Sequence, residues 1–399
     1  MNGRRQRDPR LDFFRGVAMV IIVIAHTPEN PWTRWIPARF GFSDATEIFV
    51  FCSGMASAIA FGSVFALSGW MLGTVRVLHR IWQVYWAHIG TFIVVAALMV
   101  VLNAAELTER NYVGQLNLVP FFRDPMPNLV GLVTLAYVPN YFDILPMYIV
   151  VLAMIPAVLA LADLHRGLAA LAVVTLWLAA NFGEIAMPAE PWSDRRWFFN
   201  PFGWQFLFFT GFAFMAGWLR PPPVHPLLVA AALSIVLLTI PVAHFRIRSL
   251  LPELGELWSS LRPLAAKTPF GPLRLLHFLA LAYLVWIAAG PEGARLSRGT
   301  WWPRVVAVFM LIGRQSLAVF VAGLVLSRLL GVALDLVGRD FAAAAAINLA
   351  GVASVIAVAA VVTWIKGEPW SAARSTAAPA RRTTPIPEKL AAERCSLIR

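Results

Sequence analysis

Arg15 and His26 lie in the first apolar run of the chain, eleven positions apart. Eleven residues make about three helical turns, so both side chains leave nearly the same face, about 16 Å apart along the axis. Asp12 stands one turn before Arg15 on that face. Ionisable groups inside apolar spans are costly and usually face a bundle interior or a wet cavity. A cation at one end of this stripe suits an anion or an ion pair with Asp12, and snorkelling is its structural alternative. An imidazole at the other end suits proton transfer near neutral pH; its alternative is an interfacial histidine beside Thr27-Pro28.

Two further clusters stand near the ends of that stripe. Asp44 and Glu47 open the second apolar run, one turn apart on a face that continues through Phe51, Gly54 and Ala58. At the level of His26 these carboxylates would orient its imidazole or raise its basicity. Helix capping by Ser43 or Asp44 is the alternative for the first of them, and small residues such as Gly54 admit a close helix neighbour. Entering the third run, Arg76, His79, Arg80 and Gln83 share one helical face. Arginines so placed suit a polyphosphate, or equally a layer of anionic lipid.

The remaining polar candidates are Asn140 and Asp143 before the fourth run, Asn200, Trp204 and Gln205 at the sixth, and His277 and Arg314 inside later runs. Each also reads as a cap or an interhelical hydrogen bond. No HExxH, paired CxxC, P-loop, GxGxxG or GxSxG occurs, so a resident metal, direct nucleotide chemistry and a serine nucleophile have no support.

The elements that must position these groups follow from composition. Of 399 residues, 59% are hydrophobic and 14% charged, and mean hydropathy is +0.70. A soluble enzyme, a disulfide scaffold and a disordered chain are excluded. The fold class predicted is all-α, a polytopic membrane bundle. About ten segments reach or nearly reach spanning length, near 12–30, 44–67, 81–102, 142–162, 166–183, 201–219, 226–244, 273–290, 306–335 and 342–365. The ninth is too long for one straight span, so its start, around Trp301–Gly313, is expected at the surface.

Ten crossings put both termini on one side, which also carries the larger share of Lys and Arg outside the spans. That side is therefore read as the cytoplasm. The net charge of +12 is assigned to topology and anionic lipid, with no nucleic-acid partner. The first run is not expected to be a cleaved signal peptide, since Asp12 and Arg15 intrude and no Ala-x-Ala site follows. Cys52 and Cys395 are not expected to pair. The outer loops near 103–141, 184–200 and 245–272 are expected to shape a cavity. Residues 1–366 read as the membrane domain and 367–399 as a disordered cytoplasmic tail.

From about residue 7 to 330 the chain resembles the OpgC family, membrane succinyltransferases of osmoregulated periplasmic glucans. The resemblance rests on Arg7-Asp8-Pro9-Arg10-Leu11-Asp12-Phe13-Phe14-Arg15-Gly16, on His26, and on Gly41-Phe42-Ser43-Asp44-Ala45-Thr46-Glu47-Ile48-Phe49-Val50-Phe51-Cys52-Ser53-Gly54. It continues in Trp82-Gln83-Val84-Tyr85-Trp86-Ala87-His88, Asp143-Ile144-Leu145-Pro146-Met147-Tyr148, Phe199-Asn200-Pro201-Phe202-Gly203-Trp204-Gln205 and Gly313-Arg314-Gln315-Ser316-Leu317-Ala318-Val319-Phe320. That family is similar to the acyltransferase-3 group, whose Arg-or-Lys-x10-His signature Arg15 and His26 match, and whose histidine is essential. The group's Arg-x-x-Arg motif is met by Arg80 but has Val77 at the first position, so Arg76, four residues before, carries over less directly.

The resemblance implies a bacterial inner-membrane O-acyltransferase that moves succinyl from cytoplasmic succinyl-CoA to periplasmic glucan hydroxyls. It implies no permanently bound cofactor. His26 would be the general base, supported by Glu47 or Asp44. Arg15, Arg80, Arg76 and Gln83 would hold the donor. Asn140, Asp143, Trp204, Gln205 and Arg314 would meet substrate, Arg314 at the oxyanion or the succinyl carboxylate. A secondary transporter or flippase is the competing class, because intramembrane Arg, His and Glu also mark proton relays.

Overall fold

The computed structural model describes residues 8–183 and 185–370. The expected tail lies outside them from 371 onward. Among the described residues, those up to Ala360 form one compact unit and those from Val361 belong to a second; the site described below belongs to the first. Among the described residues all regular structure is helical, save one antiparallel bridge between Pro188 and Arg196.

The chain runs α1 (Pro9–His26), α2 (Ala45–Ser57), a π-helical turn (Ala58–Gly62) and α3 (Ser63–Ala104). Three short helices follow, α4 (Tyr112–Gln115), α5 (Val119–Arg123) and α6 (Pro125–Val133). Then come α7 (Ile144–Ala153), α8 (Ile155–Leu164), α9 (Arg166–Phe182), α10 (Pro201–Met215) and α11 (Pro226–Ala243). The rest are α12 (Phe245–Leu250), α13 (Pro252–Leu261), α14 (Pro272–Ala289), α15 (Trp302–Arg314), α16 (Ser316–Val337) and α17 (Phe341–Lys366).

Every apolar segment read from sequence is helical, but among the described residues six helical stretches are long and apolar enough to cross a membrane. The difference from ten has physical causes. The second and third segments run together as Ala45–Ala104. α1 carries Arg10, Asp12 and Arg15, and α9 and α10 have only 17 and 15 residues. α3 turns at Gly69, whose φ of 82° is open to glycine without strain. The long ninth segment breaks at Gln315 into α15 and α16, and α15 packs along α1.

Local signals set the helix ends. Asp8 caps α1 by accepting from the Arg10 amide, with Pro9 in the first turn. Asn200 caps α10 in the same way, ahead of Pro201. Two crossings are as close as backbone allows. At α1 and α15, a Cβ on Gly16 would strike the Phe309 carbonyl, and one on Gly313 the Asp12 carbonyl. At α2 and α10, Gly54 faces the Phe208 carbonyl and Gly211 the Phe51 carbonyl. These contacts fix the Arg15 end of the stripe against α15, and α2 against α10. Gly54→Val is expected to cost about 3 kcal/mol or more, because the obstacle is backbone and cannot rotate away. The check is a lowered thermal midpoint and loss of monodisperse protein in detergent.

The main core gathers Met147, Val151, Ile155, Trp204, Phe208 and Phe212 between α7, α8 and α10. A second cluster joins Phe92 and Met99 of α3 to Tyr112, Leu118, Tyr137 and Trp197 of the loops. It anchors those loops at the end of the bundle where His26 stands.

Candidate functional site

Two cavities occupy the two ends of α1. The one at the His26 end has a volume of about 530 Å³. His26, Ile22 and Ala25 of α1 form one wall, with Asp44, Thr46 and Phe49 of α2 and Phe320 of α16 beside them. All three long loops contribute, through Gln115, Asn140 and Tyr141, through Phe198 and Phe199, and through Lys267. The expectation that these loops shape a cavity therefore matches its lining. Asp143 also lines it, buried, its carboxylate accepting from the Phe198 amide at 2.9 Å.

The His26 ring is half-buried and meets the Tyr141 ring edge-on, with centroids 5.3 Å apart. No side chain hydrogen-bonds it among the described residues. Its backbone carbonyl accepts from Arg328 Nη2. Arg328, Lys267 and Asp44 are the charges that act on it.

The expected orienting contact from Asp44 and Glu47 is corrected here, although Asp44 still acts on His26 as a charge. Asp44 caps α2 and Glu47 completes a capping box: the Thr46 amide donates to Asp44 Oδ1 at 2.7 Å, and the Asp44 amide to Glu47 Oε2 at 2.7 Å. The second oxygen of Glu47 accepts from Arg274 Nε at 2.7 Å, and Asp44 pairs with Lys267 Nζ at 2.6 Å. Both carboxylates are thus taken by a cap and two cations rather than by the imidazole. Asp44 still lines the cavity; Glu47 is 0% exposed and does not.

At the other end of α1, a cavity of about 230 Å³ brings Arg15 together with Ser53 and Ser57 of α2, Arg76, His79, Arg80 and Gln83 of α3, and Tyr148 of α7. Arg15 donates to Ser316 Oγ at the start of α16. Arg80 Nη1 donates to Gln83 Oε1 at 3.1 Å, and Gln83 Nε2 lies 3.0 Å from His79 Nε2. Three arginines line this cavity and no carboxylate does, an arrangement suited to a phosphate-bearing ligand.

Between the cavities, Phe49 and Phe320 stack with centroids 6.3 Å apart and planes 14° from parallel. Both line the His26-end cavity. Ser53, one turn along α2 from Phe49, already lines the other.

Three other assignments are corrected by position. Arg314 ends α15 and pairs with Asp12 Oδ2 at 3.4 Å, in the first turn of α1. Fourteen residues of helix, about 21 Å, separate Asp12 from His26, so Arg314 stands too far to serve an oxyanion there. Trp204 and Gln205 are 0% exposed and outside both cavities. Trp204 Nε1 donates to the Lys267 carbonyl at 3.0 Å and Gln205 Nε2 to the Val173 carbonyl at 2.7 Å; both hold the bundle together. Asn140 is exposed on the cavity rim.

Lys267, Arg274, Tyr141 and Arg328 were not singled out from sequence. Arg328 carried the clearest signal, an arginine inside the apolar run 316–337. Lys267 had none, because nothing in spacing links it to Asp44 across 223 positions. Outside the spans, an ion pair ties loops together at this end: the Arg110 guanidinium donates to both oxygens of Glu29 and holds that carboxyl below its usual range.

No curated protein and no solved structure gives a match to the chain. The family of the OpgC protein, in contrast, matches residues 7–367, which takes in both cavities and every helix that lines them. The chain belongs to the OpgC family.

Proposed function

We propose that this protein is an O-acyltransferase that carries a succinyl group from cytoplasmic succinyl-CoA to hydroxyls of periplasmic glucans across the bacterial inner membrane, with both termini in the cytoplasm. Family membership supports a membrane acyltransferase, and kinship with the acyltransferase-3 group is part of the proposal. The observation that carries the reading is the pairing of cavities along α1: a lining with three arginines and no carboxylate at the Arg15 end, and a histidine whose ring takes no hydrogen bond among the described residues at the His26 end.

In this reading Arg15, Arg76 and Arg80 hold the nucleotide phosphates of the donor, and the pantetheine arm runs along α1 and α16 toward His26. The glucan hydroxyl enters past Asn140 and Asp143. Neutral His26 takes the hydroxyl proton as the oxygen attacks the thioester carbonyl. The tetrahedral intermediate collapses, the carbon–sulfur bond breaks, and the departing thiolate takes the proton from His26. Products are a glucan ester and free coenzyme A. General-base help of this kind is worth about 10²–10⁴-fold, and positioning adds to it.

The test encloses acyl-labelled succinyl-CoA in sealed vesicles bearing the protein and supplies glucan outside. The expected result is labelled ester on the external glucan. Glucan movement without ester would replace this reading with transport. Arg80→Ala is expected to raise KM for succinyl-CoA about tenfold, in line with a lost charge-assisted phosphate contact, and to leave KM for glucan nearly unchanged. Initial rates at varied donor and acceptor check it; the reverse pattern would place Arg80 against lipid.

A further inference from the structure

Arg328 lies in α16 and is only 4% exposed. No carboxylate among the described residues pairs with it. Several other cations at this end are matched: Lys267 to Asp44, Arg274 to Glu47, Arg195 to Glu190, and Arg110 to Glu29 and Asp335. A buried charge without a counter-charge is strongly unfavourable. Arg328 does not itself line the His26-end cavity, but the two residues it touches, His26 and Tyr141, both do, so an anion entering there comes within one residue of it.

Its position says which part of a substrate it meets. Nη2 donates to the carbonyl of His26, within the same residue as the candidate base. Its Cζ lies 4.8 Å from the centroid of the Tyr141 ring, and that ring touches the His26 imidazole edge-on. Tyr141 holds a φ of 72°, a left-handed conformation unfavourable for a side chain of this size. The loop thus accepts strain where Tyr141 meets both groups. The guanidinium carbon sits over the ring. Nε and Nη1 make no hydrogen bond among the described residues, and a guanidinium edge fits a planar carboxylate.

We propose that Arg328 is the acyl-specificity residue, binding the distal carboxylate of a dicarboxylic acyl group while the thioester carbonyl lies against His26. This inference rests on the acyl-transfer reading and adds to it the residue that selects the acyl class. In an extended succinyl group the two carboxyl carbons lie about 4 Å apart. A neutral acyl group of equal length, such as butyryl, fills the apolar wall of Ile22, Phe49 and Phe320 but leaves the guanidinium unmatched.

The experiment compares succinyl-CoA with butyryl-CoA as donors for the purified full-length protein, wild type against Arg328→Met and Arg328→Lys. The wild type is expected to favour succinyl. Arg328→Met is expected to lower kcat/KM for succinyl about 100-fold more than that for butyryl, as for a lost charge-assisted bond. Arg328→Lys, which keeps the charge but not the fork, should fall between. Equal losses with both donors would overturn the assignment and make Arg328 a structural or oxyanion group. No transfer from any donor by the wild type would instead overturn acyl transfer itself, and this inference with it. A measurement on the wild type alone guards against misfolded variants: free succinate, but not butyrate, should slow modification of His26 by diethyl pyrocarbonate, read by mass spectrometry. Equal protection by both acids, or by neither, would also overturn it.

Discussion

His26→Ala is expected to lower kcat for succinyl transfer by about 10³-fold or more, combining the usual worth of a general base with lost positioning. The fold should survive the change. The imidazole is half-buried and its ring holds no hydrogen bond among the described residues, so its removal forfeits packing, including that against Tyr141. α1 remains fixed by the Gly16 and Gly313 crossing and by the Arg328 bond to the backbone of residue 26, which alanine retains. KM for the donor should hardly move, since the phosphate cavity is at the other end of α1. His26→Gln, similar in shape but not a base, should lose as much. Initial rates with labelled donor, together with thermal midpoints, check both. A rate within tenfold of wild type in either variant would remove His26 from the chemistry.

The second large effect is on stability. Glu47 is 0% exposed, and each of its oxygens has one strong donor, the Asp44 amide and Arg274 Nε. Removing either charge strands the other. Arg274 would keep only Asp44, at 3.6 Å, and Glu47 would keep only the cap. Breaking a buried pair from one side costs about 3–5 kcal/mol, whereas replacing both partners by apolar groups is often nearly neutral. Glu47→Gln and Arg274→Met are therefore each expected to destabilise the bundle by about that amount. The double variant Glu47→Met with Arg274→Met should cost less than the sum of its single changes. Thermal unfolding in detergent checks the pattern. The folded fraction of Glu47→Gln should keep wild-type kcat. A large fall in kcat without loss of stability would return Glu47 to the role of orienting His26.

Much of the site was legible because it obeys helical arithmetic. Arg15 and His26 share a face by spacing, and they open into different cavities at the two ends of one helix. Arg76, His79, Arg80 and Gln83 line one cavity for the same reason. The carboxylates were half legible. Asp44-Ala45-Thr46-Glu47 has the spacing of a capping box, and that reading accounts for Glu47 better than service to His26 does. Arg314 and Arg328 look alike in sequence, each an arginine in an apolar run. Only the packing of α15 and α16 on α1 sends one to Asp12 and the other to His26. Trp204 and Gln205 misled because a polar group entering a helix reads the same whether it meets substrate or a neighbour's carbonyl. The count of spans failed where α2 and α3 ran together and where charge or shortness left a helix below spanning character.

The Phe49–Phe320 stack bears on bioenergetics in the proposed reading. A wet vestibule at each end of α1, joined by a continuous file of water, would let protons run down the membrane potential. Two rings in contact, one turn of α2 from Ser53, interrupt such a file with apolar surface. A thioester arm sliding past them would fill the space it opens and so plug its own route. The enzyme would then export an acyl group without discharging the gradient that the cell maintains, and its turnover would leave no open conduit behind.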